Sequence, residues 1–293
     1  MSRSIDSGTR FSSFCRETYA LYHKPSYIDP DPLAFVRRYG VLRDREVVGF
    51  LAASLALGRV GGILRAIESV LGRLYAIDGR SPAQTLLSSS SVEIAEAFQG
   101  FTYRFFDQVQ MAALLGALKR VVLEYGSIES VFAAGAIASQ ANPCGQPWAL
   151  TMGGLSKLVS SLRHAADGLL DRSILLAEPD KGSACKRLLL FLRWMVRSDE
   201  IDPGGWRVIA PAHLLVPLDT HMISIARAFG ILTSSTGSWR ASVRLTEALA
   251  RVDPRDPVRF DFSLSRLGIH PDIDKSEQIA RSGFAETGDF ATL

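Results

Sequence analysis

The chain has 293 residues, enough for one large domain or two ordinary ones. Its 47% hydrophobic and 22% charged content excludes a disordered chain, a collagen-like repeat and a small disulfide scaffold. The formal net charge is only +3, so any basic binding site must come from local clustering. The 33 basic residues are 27 Arg and only 6 Lys, which makes the position of each Lys informative.

Three widely spaced cysteines, Cys15, Cys144 and Cys185, form no CxxC pair. They suggest neither a disulfide framework nor a cysteine-based zinc site. The polar start Met1–Arg10 has no apolar signal core, and no run of 18 apolar residues occurs. The expectation is a cytoplasmic protein with no membrane partner, no metal and no cofactor; oligomeric state is left open.

In chain order, Arg43–Leu57 has a helical apolar pattern that starts near Asp44 and stops at Gly58. Val60–Ile77 repeats it. Asp107 and Gln110 have the spacing of an N-terminal cap, opening a helix to Tyr125–Gly126. Ser127 begins a further short helix, and Asn142–Pro147 is a loop. Helices follow over 147–170, 184–197, 220–229, 239–250 and 257–267, with a turn at 178–183 and breaks at 202–205 and 253–257. The chain reads as all-α, a single two-lobed helical domain over residues 1–270 with a possible lobe boundary near 140–146. Residues 271–293 read as a polar C-terminal tail.

The stretch Lys181–Arg197, which leads into a helix after Gly182, carries Lys181, Lys186, Arg187, Arg193 and Arg197 and no acid. At 100° per residue, Lys186, Arg193 and Arg197 fall within roughly 20° of one line. The stripe fits either a phosphate-facing surface or the solvated side of a core helix. Ser183 is placed to cap this helix, whose N-terminus favours an anion. Farther on, Pro217-Leu218-Asp219-Thr220-His221 leads into another apolar helix; Asp219 fits an N-cap and His221 a polar first-turn residue.

These residues resemble the helix-hairpin-helix DNA glycosylases, the endonuclease III and 8-oxoguanine glycosylase superfamily. In that superfamily the nucleophilic Lys lies four residues after the first hairpin glycine, as Lys186 does after Gly182. Its essential Asp opens a later helix, as Asp219 does, and some members place a phosphate-contacting His where His221 stands. The hairpin segment Glu178–Gly182 keeps one proline and one glycine of that superfamily's consensus. The 33 residues from Lys186 to Asp219 resemble the spacing of the archaeal 8-oxoguanine glycosylases. Three cysteines cannot hold the iron–sulfur cluster of endonuclease III. Over about Asp31–Ile269, the strings Cys185–Arg197, Pro217–His221 and Asp253–Phe262 also resemble a bacterial family of unknown function, domain of unknown function 2400.

The superfamily resemblance implies a DNA repair glycosylase and AP lyase acting on an oxidised, 8-oxoguanine-like purine in double-stranded DNA. Lys186 would be the nucleophile and Asp219 the essential carboxylate. Gly182, Ser183, Arg187, Arg193, Arg197 and His221 would bind DNA, and Phe191, Trp194 and Trp206 are candidates for the base pocket or for core packing. The cationic neighbours would favour the neutral amine that such a nucleophile needs. The alternatives are a non-catalytic helical DNA- or RNA-binding protein and a helical scaffold. Asp253, Asp256 and Asp261 fit a metal site less well than helix starts and turns. Asp199, Glu200 and Asp202 read as a solvated turn or a loop that orients DNA. Cys185 fits a small buried residue or a reactive thiol.

Overall fold

The computed structural model describes residues 2–140, 148–270 and 273, with side chains from Gly8 onward. Most of the expected lobe boundary and nearly all of the expected tail lie outside the described residues. The described chain is largely helical, with one two-stranded antiparallel pair.

The helices are α1 (Ser2–Tyr22), α2 (Leu33–Val36), α3 (Leu42–Leu55), α4 (Val60–Asp78), α5 (Pro82–Ser88) and α6 (Ser91–Ala97). Then come β1 (Thr102–Tyr103) and β2 (Phe106–Asp107), α7 (Gln108–Tyr125), α8 (Ile128–Gln140) and α9 (Ala149–Ala165). The site-bearing end is α10 (Lys186–Val196), α11 (Thr220–Ala228), α12 (Trp239–Ala250) and α13 (Asp261–Ile269). Buried apolar side chains from Phe11 to Leu267 form one contiguous core.

Local chemistry explains the helix ends. Asp107 Oδ1 accepts from Gln110 N at 2.8 Å, the cap read from the sequence, and α7 stops where Gly126 turns to φ +90°. Asp44 differs from its expected role as a helix start. It is buried within the first turn of α3, which begins at Leu42, and accepts from Ala83 N at 2.9 Å, holding the start of α5. α9 is shorter than expected at both ends, and Pro257–Phe260 forms a tight 3-10 turn before α13 rather than helix. The helices α1, α2, α5 and α6 and the strand pair had no counterpart among the expected elements.

Two packings position the site. α10 lies against α3, and the first helix α1 packs on α13, the last described helix. α8 and α9 approach closely through Gly135, Gly153 and Gly154. A methyl group at Gly154 would collide with the Phe132 ring.

Candidate functional site

The turn expected at 178–183 is present. Pro179–Lys181 form a 3-10 turn, Gly182 sits at φ +77°, and α10 starts at Lys186. The residue before Lys186, Cys185, adopts the left-handed region at φ +46°, an uncommon and costly conformation for a side-chain-bearing residue. Ser183 does not cap the helix. Its Oγ accepts from Cys185 N at 3.3 Å, and Cys185 itself occupies the cap position without a side-chain cap bond. The Gly182 carbonyl accepts from Trp239 N at 3.2 Å, which ties the turn to α12. Burial pushes the Cys185 thiol up to about 11, so a thiolate is disfavoured and the buried reading applies.

The second helix start, Pro217–His221, faces the same space. Asp219 Oδ1 accepts from Met222 N at 2.7 Å, an N-cap for α11. His221 packs on Gly268 of α13, where the ring leaves no room for a Cβ. The first turns of α10 and α11 thus line one cleft of about 730 Å³, which both Lys186 and Asp219 reach. Its other walls come from Asp31, the α3–α4 connection at Ala56–Val60, and Asp261, Ser265 and Arg266 of α13. The volume lies in the range of small-molecule and cofactor pockets.

Below the cleft, the cationic stripe turns inward. Arg193 is 3% exposed and pairs with Asp202 at 3.2 Å and Asp261 at 2.5 Å. Arg197, equally buried, pairs with Asp199 at 2.6 Å, Asp256 at 3.0 Å and Asp202. This corrects the expectation that Arg193 and Arg197 contact DNA, and it also removes the solvated-stripe alternative. It further means that their charges do not act on Lys186 as unbalanced positive neighbours. Asp199 and Glu200 lie on an exposed turn as expected, but Asp202 is buried, and Asp199 and Asp202 serve as counter-ions of the stripe. Asp253 pairs with Arg259 at 2.8 Å, so each of the three carboxylates 253, 256 and 261 holds an arginine. Among the described residues, no cluster of three or more His, Cys, Asp or Glu is arranged to hold a metal ion.

Arg187 lines the cleft with its guanidinium half-buried. It donates to the carbonyls of Ser54, at 3.2 Å, and Ile174, which anchors α10 rather than presenting a phosphate contact. The aromatic candidates are also corrected. Phe191, Trp194 and Trp206 are buried in the core, and none lines the cleft. Phe191 packs edge-on against Phe50 and Trp206, and Trp206 Nε1 donates to Glu46 at 2.9 Å. Of the two roles considered, core packing is the one they take: Phe191 lies on the face of α10 turned to α3, and Trp206 packs against it from the following loop.

The cleft includes residues that the sequence reading did not single out for it. Asp261 lies at its floor, where burial outweighs the attraction of Arg193 and the charges of Asp219 and Asp202 add to the effect. Together they push its carboxyl up to about 6. Arg266 pairs with Asp31 at 2.6 Å on the opposite wall, and exposed Arg59 stands at the rim. No local signal marks these residues, because they come from separate segments that meet only in the tertiary fold.

The fold and site define an all-α protein whose cleft is built from two helix N-termini, one amine and several carboxylates. The chain belongs to the protein family of unknown function DUF2400, whose model matches residues 31–270. No curated protein and no solved structure matches the chain. Among the described residues, no single helix is long and apolar enough to cross a membrane.

Proposed function

We propose that this protein is a DNA glycosylase and AP lyase that removes an oxidised purine from double-stranded DNA through a lysine Schiff base. The observation that carries the reading is that Lys186 and Asp219 come from different helix starts and line one cleft. A left-handed turn at Cys185 sets Lys186 as the first residue of its helix.

In this reading the damaged nucleotide leaves the stack and enters the cleft. After its ammonium has given a proton to water, Nζ of Lys186 bonds to the sugar C1′ while the bond from C1′ to the base breaks, and that bond's electron pair leaves with the purine, which takes up a proton. The carboxylate of Asp219 stabilises the positive charge that develops on the sugar. Loss of the amine proton and opening of the sugar ring leave an iminium, from which β-elimination cuts the strand. Phosphate recognition falls to the free N–H groups at the start of α10 and to the rim arginine Arg59, rather than to the buried Arg193 and Arg197. The superfamily resemblance around Gly182, Lys186 and Asp219 supports the same assignment.

A second reading is a DNA-binding protein without chemistry. It is favoured by the cap bond of Asp219, which gives that carboxylate a structural role of its own. Borohydride reduction in the presence of duplex carrying 8-oxoguanine or an abasic site separates the two. A covalent adduct that disappears in Lys186→Gln supports catalysis, whereas salt-sensitive binding with no adduct supports the second reading.

A further inference from the structure

The most exposed large apolar side chain among the described residues is Phe105, at 71%. It stands at the tip of the β1–β2 hairpin, where Tyr103 pairs with Phe106 and only Arg104 and Phe105 make the turn. Two-residue hairpin turns favour Gly, Asn or Asp at left-handed positions. Arg104 nevertheless adopts φ +58°, a conformation that strains a side-chain-bearing residue. Such strain persists where the surroundings enforce it, and it marks candidate functional positions.

The rest of the hairpin is bolted to the cleft wall. Tyr103 Oη donates to the Leu57 carbonyl at 2.7 Å, and Leu57 lines the cleft. The Arg104 guanidinium packs on Gly58, where a Cβ would overlap it, and Gly58 also lines the cleft. Phe106 is buried beneath the turn with the Arg187 guanidinium 5.9 Å from its ring centroid. On the other flank, Thr102 and Tyr103 border a shallow basin of about 320 Å³ with Arg65 and Arg73. The hairpin that carries this exposed aromatic ring is therefore anchored to the cleft wall, with arginines nearby on both flanks.

We infer that Arg104 and Phe105 form a wedge that enters the duplex beside the cleft, Phe105 stacking in the gap left by an extruded nucleotide and Arg104 contacting the adjoining phosphate. This rests on the reading that DNA occupies the cleft. Apolar wedges offset part of the unstacking cost of a distorted duplex. An aromatic ring suits the gap because it stacks on any base.

Fluorescence anisotropy of the full chain tests the inference, using a labelled duplex with a stable abasic-site analogue and its fully paired counterpart. The wild type is expected to prefer the abasic duplex. Phe105→Ala should lose about tenfold in affinity for it and bind the two duplexes alike, while Phe105→Tyr keeps the preference. Arg104→Gly should keep or raise the melting temperature and weaken binding to both duplexes with a shallower salt dependence. Phe105→Ala binding like the wild type overturns the wedge, even where borohydride trapping succeeds. Wild type that binds neither duplex at low salt overturns the wedge together with the reading it rests on. Loss of preference in Phe105→Ala with no adduct from any chain supports the wedge and removes only the chemistry.

Discussion

Arg193 holds the floor of the cleft between two carboxylates that are themselves shielded from water. Removing one partner of such a group leaves uncompensated buried charge, which typically costs about 3–5 kcal/mol. Arg193→Met should therefore lower the urea midpoint sharply, whereas a phosphate-contacting surface arginine would leave stability nearly unchanged. Asp261 gives the site a pH signature of known sign. Its unfolded carboxyl loses a proton near 3.8 and its folded carboxyl near 6. Between those values the folded chain holds more protons, so this group's contribution to stability is full below about 4 and is lost as pH rises through 6. Unfolding free energies from urea titrations across that window should fall more in the wild type than in Asp261→Asn, by an amount on the order of 2 kcal/mol. Equal slopes would remove Asp261 from the titrating set. The spacing of Lys186, Arg193 and Arg197 was legible in the sequence, but the direction of the stripe was not. Its counter-ions Asp199, Asp202, Asp256 and Asp261 lie on loops and helix starts, where an acid is ordinary, and only the tertiary fold brings them to the arginines.

Helix starts and stops carry their own chemistry, and this made several elements readable. The Asp107 cap, the Gly126 stop and the Asp219 cap each act through bonds within three or four residues. By contrast, α1 takes a polar sequence into a helix whose buried face, Phe11, Phe14, Cys15 and Thr18, is completed by Phe229 and by the distant helix α13. The short helices α5 and α6 and the two-residue strands offer too few residues for a period to show. The α8–α9 contact supplies a test at this scale. Gly154→Ala adds one methyl group against Phe132 in a filled interface, and overpacking of this kind costs roughly 1–3 kcal/mol. A melting temperature several degrees lower is the expected result. An unchanged melting temperature would show that α9 shifts freely on α8.

Across the whole molecule, the cleft exists because distant segments meet. The hairpin after Gly182, the start of α11, the α3–α4 connection and α13 each contribute one wall. The sequence made Lys186 and Asp219 visible as a pair by motif, and the fold brings both to one cleft. Phe191, Trp194 and Trp206 took the core role rather than the pocket role because position along the chain alone does not tell a cleft face from a core face. What distinguishes catalysis from DNA binding at this scale is a covalent bond. The decisive measurement is borohydride trapping of the full chain on duplex DNA with a single 8-oxoguanine or abasic site, comparing wild type with Lys186→Gln. The expected result is an adduct from the wild type and none from Lys186→Gln, with both chains retaining the same fold and similar duplex affinity. An adduct of equal yield from Lys186→Gln, or none from a wild type that binds the duplex, would contradict Lys186 as the nucleophile.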